Sequence, residues 1–202
     1  MIEVYSQTLD GITFAYATDK DEILVTTFRP DQKEALKSIL DNLPFGEPFQ
    51  VFYEATPSGK VVLAKLKAIY DGKDIDIKLP LATKHLAAYT KRVLKATLAI
   101  PVGFVTTYGA IAEAVGGGPR AVGNAMACNR FAPVVPCHRV VKSDFTLGGY
   151  GAGGLKVKLE FLTREKRGYT QPKKVEVCEG ILELYPVESV LSKFACDCLR
   201  NS

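Results

Sequence analysis

The chain has 202 residues, of which 47% are hydrophobic and 24% charged, so it is long enough to bury one medium core or two small ones. No apolar run is long enough to cross a bilayer, and the first residues lack the pattern of a secretory signal, which predicts a cytoplasmic protein without membrane association. Five cysteines, four of them from residue 137 onward, do not form the framework of a disulfide-rich secreted domain. Two histidines and no Cys-x-x-Cys pair predict no metal site.

Charge is distributed unevenly along the chain. Residues 1–84 carry 10 basic and 13 acidic side chains, a net charge of −3. Residues 85–174 carry 14 basic and 4 acidic side chains, a net charge of +10, and residues 175–202 carry 2 and 5, a net charge of −3. The central block is therefore either a polyanion-binding module or a well-solvated basic face.

The first 84 residues predict a small α/β domain. Three segments rich in β-branched and aromatic residues within residues 2–29 predict strands, and PFQVFYEA predicts a fourth. Residues 31–43 predict a helix from apolar residues at helical spacing, and residues 59–72 predict another that Gly72 closes. Because DIDIKLPLAT favours an extended linker, we place a domain boundary near residue 84.

Residues 85–174 predict a mostly helical domain. A long helix over residues 85–100 is followed by a short helix that Thr107 caps. Three glycines then make a turn, and Pro119 begins a second short helix that ends near Asn129. Two helices around a glycine turn in a basic block are typical of a helix-turn-helix DNA-binding motif, although the same arrangement occurs in proteins that bind no DNA.

A glycine-rich loop, LGGYGAGG, precedes the last predicted helix of this domain. The spacing of Leu155, Leu159 and Leu162 places them on one apolar face, with Glu165 at its edge. Residues 175–202, which are acidic and include Cys196 and Cys198, fit a docking segment, a disulfide-prone tail or a segment without function, and we favour a short helix packed on the body of the protein.

The string PCHRV places a thiol beside a histidine and an arginine, at Cys137, His138 and Arg139. The thiolate is the nucleophilic form of cysteine, and neighbouring positive charge favours it. This string alone does not distinguish a nucleophile from a buried cysteine that packs as a small hydrophobe.

Over residues 86–168 the sequence resembles the O6-alkylguanine-DNA alkyltransferase (methylated-DNA–protein-cysteine methyltransferase) family. PCHRV is the most specific part, and TTYGAIAEA, RAVGNAM and the glycine-tyrosine-glycine loop support it. The resemblance implies a ribonuclease-H-like α/β domain over residues 1–84, a winged helix-turn-helix in residues 85–174, and an unmatched extension over residues 175–202. It also implies a monomer without cofactor or metal. The implied function is direct-reversal DNA repair, in which an alkyl group moves once and irreversibly from O6-alkylguanine, or from O4-alkylthymine, to Cys137.

The resemblance also implies roles for individual residues. Cys137 would accept the alkyl group, His138 would take the thiol proton through a water molecule, and Glu165 would orient the histidine. Asn129 would brace the turn that carries Cys137, and Tyr108 would help to protonate the departing guanine. The DNA contacts, in the minor groove of double-stranded DNA, would come from Thr107, Arg120, Ala121, Gly123 and Ala125. The base pocket would be formed by Met126, Val140, Tyr150, Gly151, Ala152 and Gly153.

Three other functions each fit part of this pattern. A cysteine hydrolase that uses Cys137 and His138 would leave the basic block unexplained. A non-catalytic lesion-binding protein of the alkyltransferase-like kind would lack the cysteine that is present here. A winged-helix transcription regulator would prefer one DNA sequence and would not alkylate its thiol.

Overall fold

The computed structural model describes residues 1–177 and 180–200, with side chains up to residue 194. It divides into two compact units: residues 1–85 with residues 130–134, and residues 86–129 with residues 135 onward. Cys178 and the side chains of Cys196 and Cys198 lie outside the described residues. Within the described part of the chain, no helix is both long and apolar enough to span a membrane.

The first unit combines a four-stranded sheet with two helices, as the sequence predicts. In chain order the elements are β1 (Ile2–Leu9), β2 (Ile12–Asp19), β3 (Glu22–Arg29), α1 (Gln32–Leu40), β4 (Phe49–Phe52) and α2 (Pro57–Tyr70). The strand order is β3-β2-β1-β4, with β4 parallel to β1 and the other neighbours antiparallel.

Local sequence fixes where the helices of this unit begin. The Asp31 side chain accepts a hydrogen bond from the backbone N–H of Glu34 at the start of α1, and Thr56 accepts one from Gly59 at the start of α2. Ala35 and Ile39 on α1 are fully buried against the small and β-branched residues of β1 to β3. The unit therefore has its own hydrophobic core.

The second unit also contains a four-stranded sheet. In chain order its elements are α3 (Ala88–Leu98), β5 (Phe104–Thr107), α4 (Tyr108–Val115), α5 (Pro119–Ala127), β6 (Val140–Val141), α6 (Gly154–Arg164), β7 (Lys173–Val177), β8 (Gly180–Pro186) and α7 (Glu188–Arg200). The strand order is β6-β5-β8-β7, with β5 parallel to β6 and antiparallel to β8, and α3, α4 and α5 pack against one another. A 3-10 turn, Cys137–Arg139, leads directly into β6.

The second unit contains more strand than the sequence predicts. The segment after residue 172 forms the hairpin β7–β8 before α7, and β8 pairs with β5 in the middle of the sheet. Leu182 and Leu184 on β8 are fully buried and alternate with more exposed neighbours, which is the pattern of a strand with one buried face. The mixed α/β class is confirmed. The helix expected after residue 174 is present as α7, whereas the hairpin β7–β8 that precedes it was not predicted.

Helix α6 is rotated relative to the predicted apolar face. Leu155 is 52% exposed, whereas Lys158, Phe161, Leu162 and Glu165 have no exposed surface. Lys158 lies three and four residues before Phe161 and Leu162, and Glu165 lies four and three residues after them, so the four residues form the buried face of the helix. Two of them are ionisable, and both lie close to Cys137 or His138.

Candidate active site

Cys137 begins the 3-10 turn, and its thiol is held by a neighbouring amide. Asn129 donates a hydrogen bond from Nδ2 to Cys137 Sγ at 3.2 Å, and the same nitrogen donates to the carbonyl of Val135 at 3.1 Å. Asn129 thus connects the end of α5 to the turn that carries the thiol. Burial raises the pKa of the Cys137 thiol, and the hydrogen bond from Asn129 and the charge of Lys158 oppose that rise.

His138, Arg139 and Glu165 form a buried ionic cluster behind the thiol. Glu165 Oε1 lies 2.9 Å from His138 Nε2 and 2.7 Å from Arg139 Nη2, and Glu165 Oε2 accepts from Arg139 Nε at 2.8 Å. Arg139 also donates to the carbonyl of Ile100. Burial tends to raise the pKa of Glu165, but the charges and hydrogen bonds of His138 and Arg139 outweigh it and lower the pKa to about 2. Glu165 is therefore ionised at neutral pH.

The other nitrogen of His138 is a buried acceptor. Burial lowers the pKa of His138, so the imidazole is neutral at pH 7. Its Nε2 faces a carboxylate and therefore carries the hydrogen, which leaves Nδ1 as the basic nitrogen. Nδ1 is buried and has no hydrogen-bond partner among the described residues, and the ring stacks on Phe161 at a centroid distance of 4.4 Å. The site thus contains an oriented base with a free position for a proton.

Cys137 lies in the wall of a small cavity of about 150 Å³. This volume is below the ~300–1,000 Å³ of typical sites for drug-sized ligands, so the cavity suits one compact group. Its walls are formed by α4, α5 and the glycine-rich loop, through Tyr108, Gly123, Met126, Ala127, Cys137, Gly149, Tyr150 and Gly151.

Tyr108 stands at the first position of α4, where Thr107 caps the helix by accepting from the backbone N–H of Ala110, as predicted. Burial raises the pKa of Tyr108, and the neighbouring Cys137 adds to the effect. The phenol therefore keeps its proton at neutral pH and can donate it into the cavity. Gly148, with a φ of +67°, approaches the Tyr108 ring so closely that a Cβ there would lie 3.1 Å from Cε2.

Sequence reasoning missed one ionisable residue of this site. Lys158 is completely buried on α6, and its ammonium donates to the carbonyls of Val140, Leu147 and Gly149. The signal in the sequence is the helical spacing of Lys158, three residues before Phe161 and four before Leu162, and this spacing does not establish which face of α6 is buried. A single lysine in a basic, amphipathic helix is normally solvated, which is why the pattern did not indicate it.

The structure places the predicted DNA contacts at different depths. Arg120 is exposed at the second position of α5, Ala121 is half-buried, and Gly123 lines the cavity. Ala125 requires a correction: it is 4% exposed and packs in the core of the second unit, so it does not lie on the outer face of α5.

The predicted base pocket is also corrected in part. Met126, Tyr150 and Gly151 line the cavity. Val140 does not, because its side chain is fully buried in the core of the unit. Ala152 and Gly153 lie beyond the lining segment, and Gly153 takes a φ of +117° as it begins α6.

Comparisons with known proteins converge on one family. Residues 88–167 match the family model described as 6-O-methylguanine DNA methyltransferase, DNA binding domain. A methylated-DNA–protein-cysteine methyltransferase of Methanothermobacter thermautotrophicus is 38% identical over 107 residues, which cover 52% of this chain and 60% of that protein. A protein of the same name from Saccharolobus islandicus is 38% identical over 110 residues, which cover 54% of this chain and 68% of that protein.

A solved structure is similar over more of the chain. The crystal structure of Mycobacterium tuberculosis OGT in complex with DNA matches with a TM-score of 0.62 and 27% identity, over 81% of this chain and 92% of that chain. The match to several of the curated relatives spans between 45% and 61% of their length. The family model, the sequence identity and the fold agree with the position of Cys137 beside a buried histidine, and the chain belongs to the methylated-DNA–protein-cysteine methyltransferase family.

Proposed function

We propose that the protein repairs DNA by transferring an alkyl group from O6-alkylguanine to Cys137 in a single, irreversible reaction. The observation that carries the proposal is the Cys137 thiol in the wall of a small cavity, next to a neutral histidine whose Nδ1 has no partner among the described residues. A base that is placed beside a thiol activates it as a nucleophile by taking its proton.

Proton removal is the first step that the geometry supports. His138 Nδ1 takes the proton of Cys137 Sγ through a bridging water molecule, and Glu165 stabilises the imidazolium that forms. Arg139 keeps Glu165 ionised, so the proton stays on the histidine. Asn129 holds the sulfur in position during the transfer.

Alkyl transfer follows from the position of the thiolate. The sulfur attacks the alkyl carbon, an S–C bond forms, the C–O6 bond breaks, and its electron pair passes to guanine. Tyr108 donates a hydrogen bond or proton to the departing base, since its phenol is protonated at neutral pH. The product is a thioether, which has no carbonyl that water can attack, so no step regenerates the thiol.

The target base has to leave the duplex in order to reach the cavity, since its alkyl group lies within the base stack. We infer that α4 and α5 form a winged helix-turn-helix that docks in the minor groove, with exposed Arg120 filling the gap that the extruded nucleotide leaves. Thr107 and Ala121 contact the backbone in this arrangement. We also propose that the first unit belongs to the ribonuclease-H-like class. We propose further that the protein acts as a monomer and that it acts in the cytoplasm.

The experiment is a single incubation with a duplex that contains O6-methylguanine, followed by peptide mass spectrometry. We expect one methyl group on Cys137, restored guanine in the DNA, and no transfer by Cys137→Ser although that variant still binds the duplex. Methylation of another residue would contradict the proposal. Repeated turnover on esters or amides would instead favour a cysteine hydrolase, and preference for one DNA sequence without thiol alkylation would favour a transcription regulator.

A further inference from the structure

Lys158 is a buried cation that the mechanism above does not use. Its three ammonium N–H groups donate to three backbone carbonyls, of Val140 at 2.6 Å, Leu147 at 2.5 Å and Gly149 at 3.2 Å. A lysine has three such donors, so every one is satisfied. Among the described residues, no carboxylate forms an ion pair with it, so its charge is balanced only by dipoles.

A structural role alone does not explain this choice of residue. The neighbours of Lys158 on the buried face of α6 are Phe161 and Leu162, so its three hydrogen bonds are made at the cost of desolvating an ammonium in an apolar environment. Burial lowers the pKa of Lys158 to about 8, so the group remains a cation at pH 7 despite that cost. A buried charge maintained next to a reactive group indicates function.

Lys158 is also the cation of this site whose charge is not already neutralised. The charge of Arg139 is paired with Glu165, and burial keeps His138 neutral at pH 7. The Lys158 ammonium lies 6.0 Å from the centroid of the Tyr108 ring and binds the carbonyl of Gly149, and both of these residues line the cavity together with Cys137.

We propose that Lys158 is a positioning residue for Cys137: its positive charge stabilises the thiolate, and its three hydrogen bonds fix the loop that closes the cavity. The two roles use the same atom. Val140 directly follows the turn that bears the Cys137 thiol, whereas Leu147 and Gly149 belong to the loop on the other side of Lys158. The Lys158 ammonium therefore fixes the distance between the Cys137 sulfur and the part of the cavity wall that this loop forms. This inference rests on the proposed alkyl transfer for its biological meaning.

The test measures the apparent pKa of the Cys137 thiol in the absence of DNA. The rate of iodoacetamide alkylation at Cys137, mapped by peptide mass spectrometry across neutral and alkaline pH, gives the apparent pKa of the thiol. We expect Lys158→Met to raise this pKa by about one pH unit, which is about tenfold less thiolate at pH 7. Lys156→Met, an exposed lysine on the same helix, is the matched control and should leave the thiol pKa unchanged.

The outcomes separate this inference from the proposed function. An unchanged thiol pKa in Lys158→Met, with normal methyl transfer by the natural chain, would overturn the role of Lys158 and leave the function intact. Absence of methyl transfer by the natural chain, with a shifted thiol pKa in the variant, would overturn the function alone.

A second measurement applies if Lys158→Met does not fold. Coupling between two titrating groups is reciprocal, so Cys137→Ser should lower the pKa of Lys158, as followed by NMR of isotope-labelled lysine side chains. Tyr108 and His138 are the other titratable groups that face this region, and both are unchanged in that variant. A Lys158 pKa that is identical in the two proteins would refute the coupling.

Discussion

Replacing Glu165 by glutamine should lower the free energy of unfolding of the second unit, because the substitution breaks the ionic cluster of His138, Arg139 and Glu165. Glu165 is fully buried and accepts from His138 and from two nitrogens of Arg139, so the substitution leaves a buried guanidinium without a counter-charge. The carboxyl pKa falls from an ordinary 4.5 to about 2 in the folded protein, which at about 1.4 kcal/mol per pH unit corresponds to about 3 kcal/mol. This agrees with the ~3–5 kcal/mol typical of breaking a buried pair.

The same shift fixes the pH dependence. A carboxyl whose pKa is depressed by folding stabilises the protein above its unfolded pKa, and that contribution is lost as the pH falls from about 4.5 to about 2. The free energy of unfolding of Glu165→Gln should therefore be about 3 kcal/mol below that of the natural chain at pH 7, with the gap closing over this acidic range.

Urea denaturation measures this difference in the free energy of unfolding. It is followed by circular dichroism because the chain contains no tryptophan for fluorescence. Hydrogen exchange of the α6 amides assigns the loss to the second unit. The matched control is Glu160→Gln, whose carboxylate pairs with Arg164 at 3.3 Å and is 41% exposed, so it should change stability by less than ~1 kcal/mol. Equal stability of the two variants at pH 7, or a gap that persists at pH 2, would refute the reasoning.

Three further substitutions probe separate parts of the site. Tyr108→Phe removes the phenolic donor and should slow single-turnover methyl transfer by ~100-fold or more with unchanged affinity for the duplex, and an unchanged rate would exclude Tyr108 as the acid. Asn129→Ala removes the donor to Cys137 Sγ and Val135 O and should both raise the thiol pKa and cost ~1–3 kcal/mol in urea denaturation. Arg120→Ala should weaken duplex binding in a filter or anisotropy assay, whereas the iodoacetamide-derived thiol pKa should not change.

The parts of the site that are close in sequence were predictable from it. Thr107 caps α4, and the glycine turn separates α4 from α5, because both features depend on a few neighbouring residues. Glu165 was expected at the edge of the buried face of α6, and it is buried against His138. The PCHRV string places a nucleophile, a base and a cation within three residues, at Cys137, His138 and Arg139.

The parts that depend on long-range packing were not predictable. The pairing of β8 with β5 is decided by neighbours far apart in sequence, and β8 lacks a clear alternation of apolar and polar residues, because the exposed Ile181 is as apolar as the buried Leu182 and Leu184. Lys158 is indistinguishable by residue type from the solvated lysines around it, and only the rotation of α6 places it inside. Val140 was also misplaced: it lies only three residues after Cys137 in sequence, but its side chain points into the core.

The order of elements in the second sheet has a consequence for synthesis of the protein. Val105 pairs with Tyr185, and Thr106 pairs with Val140, so strand β5 can pair only after residues much later in the chain have been synthesised. Such non-local pairing is slow to form, whereas the adjacent hairpins of the first unit assemble from local contacts. A growing chain therefore emerges from the ribosome with Cys137 already made but without β8, Lys158 or Glu165 to hold it. Nascent protein should be inactive toward damaged DNA until the residues of β8 have been translated.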